Sequence, residues 1–432
     1  MPSLTWASKT TPQPIRAALE LDSIIYPQGV GYSFPSSTNP PLPDQLISGD
    51  NLSVMSALLP EYEGRIHLIY AYPPFFTNRR YPARVGRGED SRQPRTWQLA
   101  EGYPDHWPDL DAYLDYLYPR LWLMHRLLAP TGTLYLHLDW HANACARLLL
   151  DEIFGPERLL NEIVWIYHGP SPIRRAFNRK HDTLLAYTKG KEYTFNADAV
   201  RQPYNPNTVK TFESSPKAGF GKVPDLARGK VPEDWWYFPV VARLHRERTG
   251  YPTQKPEALL ERLIQASSNG GEIVADFFCG SGTTPLVAAR LGRRFIASDV
   301  TFRAVHTTRC RLLELPAQPF RILRSRGVGE ISTEGNNFTT SQPFDRPREE
   351  SFNLPVFQPS TNNLTLTNPA PDLDYWEADP AWDGQVFSSV AQAARPRNNK
   401  PIGTTLSLPN VPANQPICVR LVSVNGLQTQ LD

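Results

Sequence analysis

The sequence predicts an α/β fold in which a mainly parallel sheet carries helices on both faces, together with smaller accessory regions. Short apolar runs suited to buried strands alternate with amphipathic helices over about residues 46–313. A glycine-rich loop joins a strand to a helix at residues 279–282, as at the ligand sites of α/β sheets. At 432 residues the chain is also long for a single domain, so a further part is expected.

Composition narrows the class of protein before any motif is considered. The four cysteines (Cys145, Cys279, Cys310 and Cys418) lie far apart without the spacing of a metal site, so we expect a reduced cytoplasmic protein without a bound metal. No apolar run approaches the length that spans a bilayer, and the first residues lack the apolar core of a signal peptide. The net charge of +2 excludes little, because the basic residues are unevenly distributed.

Hydrophobic periodicity places the first elements of the sheet in chain order. Strands are predicted at 46–52, where the run ends in a turn, and at 66–70, 133–138, 161–167 and 182–187. Helices are predicted at 53–59, at 111–128 and after Asp139. The helix over 111–128 is the clearest of these, because its leucines and Met124 recur on one face.

One stretch, residues 272–299, reads as a strand, a loop, a helix and a second strand. Glu272–Phe278 suits a buried strand, and Cys279-Gly280-Ser281-Gly282 forms a tight loop of small residues. Thr283 and Thr284 open a helix that ends at Gly292. The start of this helix offers free N–H groups to an anionic ligand, and Asp299 is placed to bind two ribose hydroxyls.

Two ligand classes use this geometry. Dinucleotides are bound by G-x-G-x-x-G, but the third glycine position, counted from Gly280, is Pro285 here, which weakens that interpretation. The alternative is S-adenosylmethionine, whose methionine carboxylate and amino group need the loop N–H groups and an acid such as Asp276. A glycine-rich turn alone does not decide between the two.

Two further segments complete the pattern. The glycine loop is preceded by Thr253-Gln254-Lys255-Pro256-Glu257, and a Tyr72-Pro73-Pro74-Phe75 turn lies far upstream. Together these segments resemble the amino-methyltransferases that modify DNA bases, and their order resembles the β class, which makes N6-methyladenine or N4-methylcytosine. The resemblance covers about residues 46–313. It implies a doubly wound, Rossmann-like fold, S-adenosylmethionine as the cofactor and double-stranded DNA as the partner.

The resemblance also implies the residues of the cofactor site. They are Asp50, Lys255, Asp276, Phe277, Phe278, Cys279, Gly280, Ser281, Gly282, Thr283, Thr284 and Asp299. Asp50 would accept a hydrogen bond from the adenine amine of the cofactor, and it can also cap the helix that follows. Lys255 would reach the methionine carboxylate, unless it is an exposed lysine beside a proline-initiated helix.

The turn at Tyr72, Pro73, Pro74 and Phe75 corresponds to the catalytic motif of the family, in which Asp-Pro-Pro is followed by Tyr or Phe. In that motif the carboxylate and a backbone carbonyl accept the two N–H groups of the target amine, so that its lone pair turns toward the methyl group. The aromatic residue stacks on the base after the base has been flipped out of the duplex. The prolines fix φ and keep the carbonyl directed at the base.

Tyr72 stands where the family has its carboxylate. A phenol has a pKa of about 10, so it is neutral at pH 7, a weak acceptor and larger than Asp. Because such groups typically contribute about 10²–10⁴ in rate, we expect methyl transfer to be strongly reduced or absent, while cofactor and DNA binding survive. Cytosine-N4 members can use Ser at this position, but Tyr fits neither pattern.

Two basic regions are candidates for DNA contact. Residues 76–103 form an arginine-rich loop beside the turn, and residues 169–252, where the family carries its target-recognition region, interleave basic and aromatic side chains. The candidate DNA-binding residues are Arg79, Arg80, Arg174, Arg175, Lys180, Lys222 and Arg246. Solvated surfaces are the alternative in both regions. His137 and Asp139 are candidates for lining the base pocket, although a buried histidine and a helix cap are simpler interpretations.

The predicted organisation has six parts. They are an N-terminal arm (1–44), extended across the core or in contact with DNA, a catalytic half (45–168), a target-recognition insertion (169–252), a cofactor-binding half (253–316), a linker (317–370) and a small β module (371–432). We predict a DNA adenine-N6 methyltransferase that works by direct displacement, with adenine favoured because Phe75 follows the prolines. The alternatives are a catalytically impaired homologue, a cytosine-N4 enzyme and an RNA methyltransferase. A second copy of the chain and a separate restriction subunit are further candidate partners.

Overall fold

The computed structural model of the chain describes residues 3–29, 32, 44–85, 98–169, 173–214, 225–242, 245–315, 318–327, 356–358, 362–370, 372–396, 401–409, 411, 416–424 and 426–431. The helices in this part of the chain are α1 (Asn51–Tyr62), α2 (Leu110–Leu127), α3 (Asn143–Phe154), α4 (Pro206–Ser214), α5 (Glu257–Ser267), α6 (Thr283–Arg290) and α7 (Phe302–Leu312). The strands are β1 (Ala17–Ile25), β2 (Gln45–Ser48), β3 (Ile66–Ala71), β4 (Arg79–Val85), β5 (Gln98–Asp105), β6 (Leu128–Leu138), β7 (Leu159–Ile166), β8 (His181–Thr188), β9 (Trp235–Tyr237), β10 (Ile273–Asp276), β11 (Arg294–Asp299), β12 (Phe320–Gly327), β13 (Val356–Gln358), β14 (Asn363–Thr365), β15 (Leu373–Asp379), β16 (Phe387–Ser389), β17 (Ala391–Ala394), β18 (Thr405–Ser407), β19 (Cys418–Ser423) and β20 (Gln428–Leu431).

Eleven strands form the main sheet, in the order β16-β1-β12-β2-β11-β10-β3-β6-β8-β7-β9. The six strands from β12 to β6 run parallel, whereas β8 is antiparallel to β6, β7 to β8 and β1 to β12. The predicted mainly parallel sheet is therefore confirmed. Its C-terminal edge is the edge where the carboxyl ends of β2, β11, β10, β3 and β6 meet, together with the amino end of β8.

Helices cover both faces of this sheet, and the strands between them are apolar on both sides. Successive residues of a strand point to opposite faces, so on β3 Leu68 and Ile69 enter different cores. Ile69 packs in the core that contains residues of α1, α2 and α3, and Leu68 in the core that contains residues of α5, α6 and α7. Burial on both faces explains why the predicted strands lack a polar face.

The predicted linker at 317–370 is wrong for residues 320–327. These residues form β12, which lies between β1 and β2 inside the main sheet, with the Phe320 side chain fully buried. The run is short and carries arginines, but Phe320 and Ile322 enter one core of the sheet and Leu323 enters the other. The N-terminal arm also joins this sheet, since its residues 17–25 form β1.

The C-terminal residues form two small sheets, β13-β14-β18 and β17-β15-β19-β20, around buried Trp376. Two of these strands, β13 and β14, come from the span predicted as a linker. An ion pair between Asp374 and Arg303 at 3.1 Å and a hydrogen bond between Asp374 and His306 at 3.0 Å attach the four-stranded sheet to α7. No helix in the described part of the chain is long and apolar enough to cross a membrane.

Candidate active site

The C-terminal edge of the sheet gathers side chains from five strands. Asp50 follows β2, Asp299 ends β11, Asp276 ends β10, and Tyr72 follows β3 directly. Asp182 lies at the start of the antiparallel strand β8, and so at the same edge. Residues that are up to about 250 positions apart in the chain thus meet along one line, where open α/β sheets bind their ligands.

The glycine loop between β10 and α6 requires glycine at two positions. Gly280 and Gly282 have φ of +48° and +73°, which residues with a side chain rarely adopt. A Cβ at Gly282 would lie 2.4 Å from Thr308 Oγ1, and one at Gly280 would lie 3.0 Å from the ring of Tyr251. The Gly280 N–H donates to Asp299 Oδ2 at 3.0 Å, which ties the loop to the end of β11.

The polar side chains of the predicted loop residues hydrogen-bond to one another and to a buried arginine. Thr283 Oγ1 lies 3.2 Å from Ser281 Oγ and accepts from Arg311 Nη1 at 3.0 Å. The same guanidinium donates to Glu257 at 2.7 Å. Phe277 and Cys279 are buried beneath the loop, and Phe278 is half-buried. Buried Arg311 holds the loop from below and was missed by the sequence analysis, because its partners lie 28–54 residues away.

Asp276 is buried at the mouth of the loop. Its carboxyl oxygens accept from Thr284 Oγ1 at 2.6 Å and from the Phe278 N–H at 3.0 Å. Burial raises the pKa of Asp276 to about 7, against these hydrogen bonds, which favour the charged form. A cationic group of a ligand beside this carboxylate would favour the charged form further.

Lys255 is only 7 % exposed, so the alternative of an exposed lysine is wrong. Its Nζ donates to the Thr253 carbonyl at 2.8 Å. Burial lowers the pKa of Lys255 to about 7, although the nearby carboxylates of Asp182 and Asp276 favour the charged form. The Lys255 carbonyl in turn accepts from Thr283 Oγ1 at 3.3 Å, which joins this residue to the glycine loop.

Tyr72 packs against Lys255 from the other side. The Lys255 Nζ lies 3.0 Å from the centre of the Tyr72 ring, a cation–π contact. The ring also makes edge contacts with Phe75 at 4.5 Å and His137 at 4.9 Å between centroids. Burial raises the pKa of Tyr72 well above its usual value, so the phenol is neutral at physiological pH.

The turn that follows Tyr72 is held by Asp105, at the end of β5. This buried carboxylate accepts from the N–H groups of Phe75, Phe76 and Thr77 at 2.8–3.1 Å. It also accepts from Thr77 Oγ1 and Trp107 Nε1. Nothing in the local pattern singled out Asp105, because it lies 28–30 residues from the turn.

A second long-range bond reaches the proline pair. Tyr113 in α2 donates its hydroxyl to the Pro74 carbonyl at 2.9 Å. Pro73 is buried and Pro74 half-buried in the turn. The backbone is strained just beyond them, since Phe76 has φ of +67°, and the three N–H bonds to Asp105 offset that strain.

His137 is fully buried, and its ring packs against the ring of Tyr72. Burial lowers the pKa of His137 to about 4, so the ring is neutral. Its Nε2 lies 3.2 Å from Asp182 Oδ2 and its Nδ1 lies 2.7 Å from the Tyr70 hydroxyl. Since a carboxylate only accepts, Nε2 carries the proton and Nδ1 accepts from Tyr70. Tyr167 donates to the other oxygen of Asp182 at 3.0 Å.

Three other acids at this edge accept hydrogen bonds from nearby backbone N–H groups. Asp50 caps α1 by accepting from the N–H groups of Leu52 and Ser53, and it pairs with Arg120 at 2.6 Å. Asp299 accepts from Thr301 at 3.0 Å as well as from the glycine loop. Asp139 accepts from the His141 N–H at 2.8 Å but does not cap α3, which begins after Ala142 without a side-chain cap. Carboxylates have further lone pairs, so Asp50 and Asp299 retain acceptor capacity.

The candidate DNA-binding residues fall in several places. Arg79 and Arg80 are exposed at the start of β4, shortly after the Tyr72–Phe75 turn. Arg174, Arg175 and Lys180 lie on the loop that enters β8, with both arginines exposed and Lys180 half-buried. Arg246 is exposed before α5, and Lys222 lies outside the described residues. Among the described residues, no group of three or more His, Cys, Asp or Glu side chains is arranged to hold a metal ion.

The fold and this edge define an α/β enzyme with a glycine-loop ligand site beside an aromatic, proline-rich turn. Residues 66–308, more than half of the chain, match the family model of DNA methylases that act on N6 and N4 amino groups. The chain belongs to this family of DNA methyltransferases, whose methyl donor is S-adenosylmethionine. The predictions of family, enzyme class and cofactor are therefore confirmed.

Two curated relatives and two solved structures illustrate the similarity. The chain is 31% identical over 294 residues to the DNA adenine methyltransferase YhdJ of Escherichia coli strain K12, covering 66% of this chain and 90% of that protein. It is 28% identical over 293 residues to the type II methyltransferase M.BglII of Bacillus subtilis, covering 66% and 72%. The M1.HpyAVI–SAM complex is 19% identical with a TM-score of 0.41, covering 62% of this chain and 98% of that one. The cytosine-N4-specific PvuII DNA methyltransferase is 16% identical with a TM-score of 0.43, covering 62% and 86%.

Proposed function

We propose that this chain binds S-adenosylmethionine at the glycine loop and an adenine, flipped out of duplex DNA, at the Tyr72–Phe75 turn. The contact that carries the proposal is made by Lys255, whose carbonyl is bonded to Thr283 of the loop and whose ammonium lies on the Tyr72 ring. The two sites are thus adjacent. Adenine is favoured over cytosine because Phe75 follows the prolines, and because one relative is named an adenine methyltransferase.

The residues of the loop fit the cofactor. The first N–H groups of α6 and the Lys255 ammonium would take the methionine carboxylate, and Asp276 would take the amino group. A buried carboxyl with a pKa of about 7 suits this role, because it gains a cationic partner when the cofactor binds. Asp299 would accept from the ribose hydroxyls and Asp50 from the adenine amine. The sulfonium supplies an electrophilic methyl group.

At the proposed base site the chain provides one aromatic ring for stacking and one hydrogen-bond acceptor for the amine. Phe75 would stack on the adenine, and the proline-pair backbone would accept one N–H of the amine. The second acceptor of the family is replaced by the neutral phenol of Tyr72. Asp182 is close enough to raise the pKa of that phenol, but its oxygens already accept from His137 and Tyr167. We therefore expect slow methyl transfer with intact binding of both ligands.

The test compares the unaltered protein with Tyr72→Asp and Tyr72→Phe. Transfer from labelled S-adenosylmethionine to unmethylated genomic DNA is expected to rise at least about 100-fold in Tyr72→Asp, as a restored acceptor predicts. Tyr72→Phe keeps the ring on Lys255 and is expected to match the unaltered protein. Cofactor affinity, measured by calorimetry, is expected to be similar in all three.

Two outcomes would contradict this proposal. If the unaltered protein labels DNA as fast as Tyr72→Asp, then Tyr72 does not impair the chemistry. If all three proteins bind the cofactor but none labels DNA, adenine in duplex DNA is not the substrate. In the second case RNA and cytosine-containing substrates are the next to be tested.

A further inference from the structure

A loop that enters β8 carries the most exposed large apolar side chain described. This loop, residues 173–180, is here named the Phe177 loop, and Phe177 is 98 % exposed at its tip. Single exposed apolar residues are common on protein surfaces and need no partner. Phe177 is unusual because of the residues beside it and because of its position relative to the active site.

The Phe177 loop is strongly basic. Its sequence, IRRAFNRK, carries Arg174, Arg175, Arg179 and Lys180 and no acid. The three arginines are exposed, so the aromatic tip is flanked by charges in solvent. An exposed ring between arginines matches a ligand that offers phosphates on the outside and stacked rings within, which is the chemistry of a nucleic acid.

The loop lies at the C-terminal edge of the sheet, next to the base site. Its last carbonyl, that of Lys180, accepts from the Tyr167 N–H at 3.1 Å. Two residues further on, Asp182 accepts from His137, whose ring contacts Tyr72. The loop also reaches the end of β6, where the Arg179 guanidinium stacks 4.1 Å from the ring of Trp140, a second exposed aromatic residue.

We propose that Phe177 is a wedge that inserts into the DNA base stack where the target adenine has left it, while Arg174 and Arg175 contact the flanking phosphates. The proposal rests on the proposed function, since it requires a flipped base. Extruding a base loses its stacking and pairing, and an aromatic side chain in the gap restores part of the stacking. Phe177 would thus stabilise the flipped state without touching the reacting atoms.

The test measures binding and base flipping, so it does not require the methyl-transfer step that Tyr72 is expected to slow. Duplexes that the unaltered protein prefers are first selected from a random-sequence pool in the presence of S-adenosylmethionine. 2-Aminopurine then replaces each adenine of the selected duplex in turn. The unaltered protein is expected to raise the fluorescence at one position, which identifies the flipped base.

Three variants separate a wedge from a general DNA contact. Phe177→Ala is expected to lower affinity for the selected duplex about 10-fold, as the loss of stacking on one base predicts. It is also expected to lose most of the rise in 2-aminopurine fluorescence. Phe177→Trp is expected to retain both. Phe195→Ala is the control, because Phe195 is 40 % exposed but lies beyond the other end of β8, beside the start of β6.

Two further measurements test the mechanism. An abasic site opposite the target adenine makes flipping easier, so it is expected to restore most of the affinity of Phe177→Ala. In the double variant Arg174→Ala, Arg175→Ala, the slope of the logarithm of the binding constant against the logarithm of the salt concentration is expected to fall by the amount that about two phosphate contacts contribute. The 2-aminopurine fluorescence at saturating protein is expected to be unchanged.

The outcomes distinguish this proposal from the proposed function. If the unaltered protein flips a base and Phe177→Ala flips it equally well, Phe177 is not a wedge and the proposed function stands. If the unaltered protein flips no base in any selected duplex, the proposed function fails and the wedge fails with it. An equal loss in Phe177→Ala and Phe195→Ala would also overturn the wedge.

Discussion

The glycine loop and the Tyr72–Phe75 turn lie side by side, but they are held in different ways. The loop combines short-range and long-range bonds, since Asp276 accepts from Phe278 and Thr284, two and eight residues on, while Asp299 and Arg311 bond to the loop from 19 to 30 residues away. The turn depends on Asp105, 28–30 residues away, and on Tyr113, 39 residues from Pro74. In the resemblance drawn from the sequence, the loop keeps the pattern of the family, whereas the turn departs from it at Tyr72.

This difference indicates how the two halves of the site can change independently. Tyr72 takes no part in the hydrogen bonds between Asp105 and the turn, so a substitution at Tyr72 is expected to leave those bonds in place. The cofactor loop, tied to Asp299 and supported by Arg311, does not depend on the phenol. The proposed cofactor site is therefore expected to stay intact even where the proposed base site supports only slow methyl transfer.

The largest expected effect is on the turn. Asp105→Asn replaces a buried carboxylate that accepts five hydrogen bonds, and its amide N–H₂ would face donors. We expect a loss of about 3 kcal/mol in the free energy of unfolding, measured by urea denaturation, because buried donors lose their acceptor. Affinity for S-adenosylmethionine is expected to change less than about twofold.

Asp109→Asn is the matched control for Asp105→Asn. Asp109 caps α2 by accepting from the Ala112 N–H at 2.8 Å, and this bond is exposed. Asn is as good an N-cap as Asp, so the loss is expected to stay within a few tenths of a kcal/mol. Equal losses in the two variants would mean that Asp105 does not organise the turn.

The next effect concerns the loop. Gly282→Ala places a Cβ 2.4 Å from Thr308 Oγ1 at a φ of +73°, so the loop must move. We expect affinity for S-adenosylmethionine, measured by calorimetry, to fall about 10-fold or more, since the N–H groups of the loop lose their alignment. DNA affinity is expected to stay unchanged, which would sharpen the contrast with the turn.

Gly292→Ala supplies the control for Gly282→Ala. Gly292 has a similar φ of +71°, but no atom lies within 4 Å of its added Cβ. It therefore carries the same backbone strain without the contact to Thr308. If Gly292→Ala weakens cofactor binding as much as Gly282→Ala, the loop does not need close packing against Thr308.

The smallest effect is a pH dependence of stability. Burial raises the pKa of Asp276 to about 7, so the folded state binds this proton more tightly than the unfolded chain. Its contribution to stability is present at acidic pH and is lost as pH rises from about 4 to 7. Asp276→Asn removes this loss, so the variant is expected to gain about 1–2 kcal/mol relative to the unaltered protein between pH 5 and pH 7.

Lys255 is the charged group that opposes this trend. Its pKa is lowered to about 7, so its own destabilising contribution is present below pH 7 and fades at higher pH. The measurement is urea denaturation of both proteins at pH 5 and pH 7 without cofactor. A stability difference that is the same at the two pH values would show that the Asp276 carboxyl is not protonated in the folded state.

Local patterns in the sequence were sufficient for the parts of the protein that short-range physics determines. The glycine loop, the helix that follows it and the Pro-Pro turn were predicted because backbone conformation at Gly280, Gly282 and Pro73 depends on the residue itself. Apolar periodicity likewise predicted α2 within one residue at each end, and it predicted the strands β3, β7 and β8.

Only the tertiary structure decided what meets across the sheet. Asp105 beneath the turn, Arg311 beneath the loop and the burial of Lys255 against Tyr72 all join segments far apart in the chain. The strand β12 was missed for the same reason, because its partners β1 and β2 lie about 300 residues earlier. A residue's own conformational preference carries no information about such partners, so local composition predicts the elements but not the contacts that complete the site.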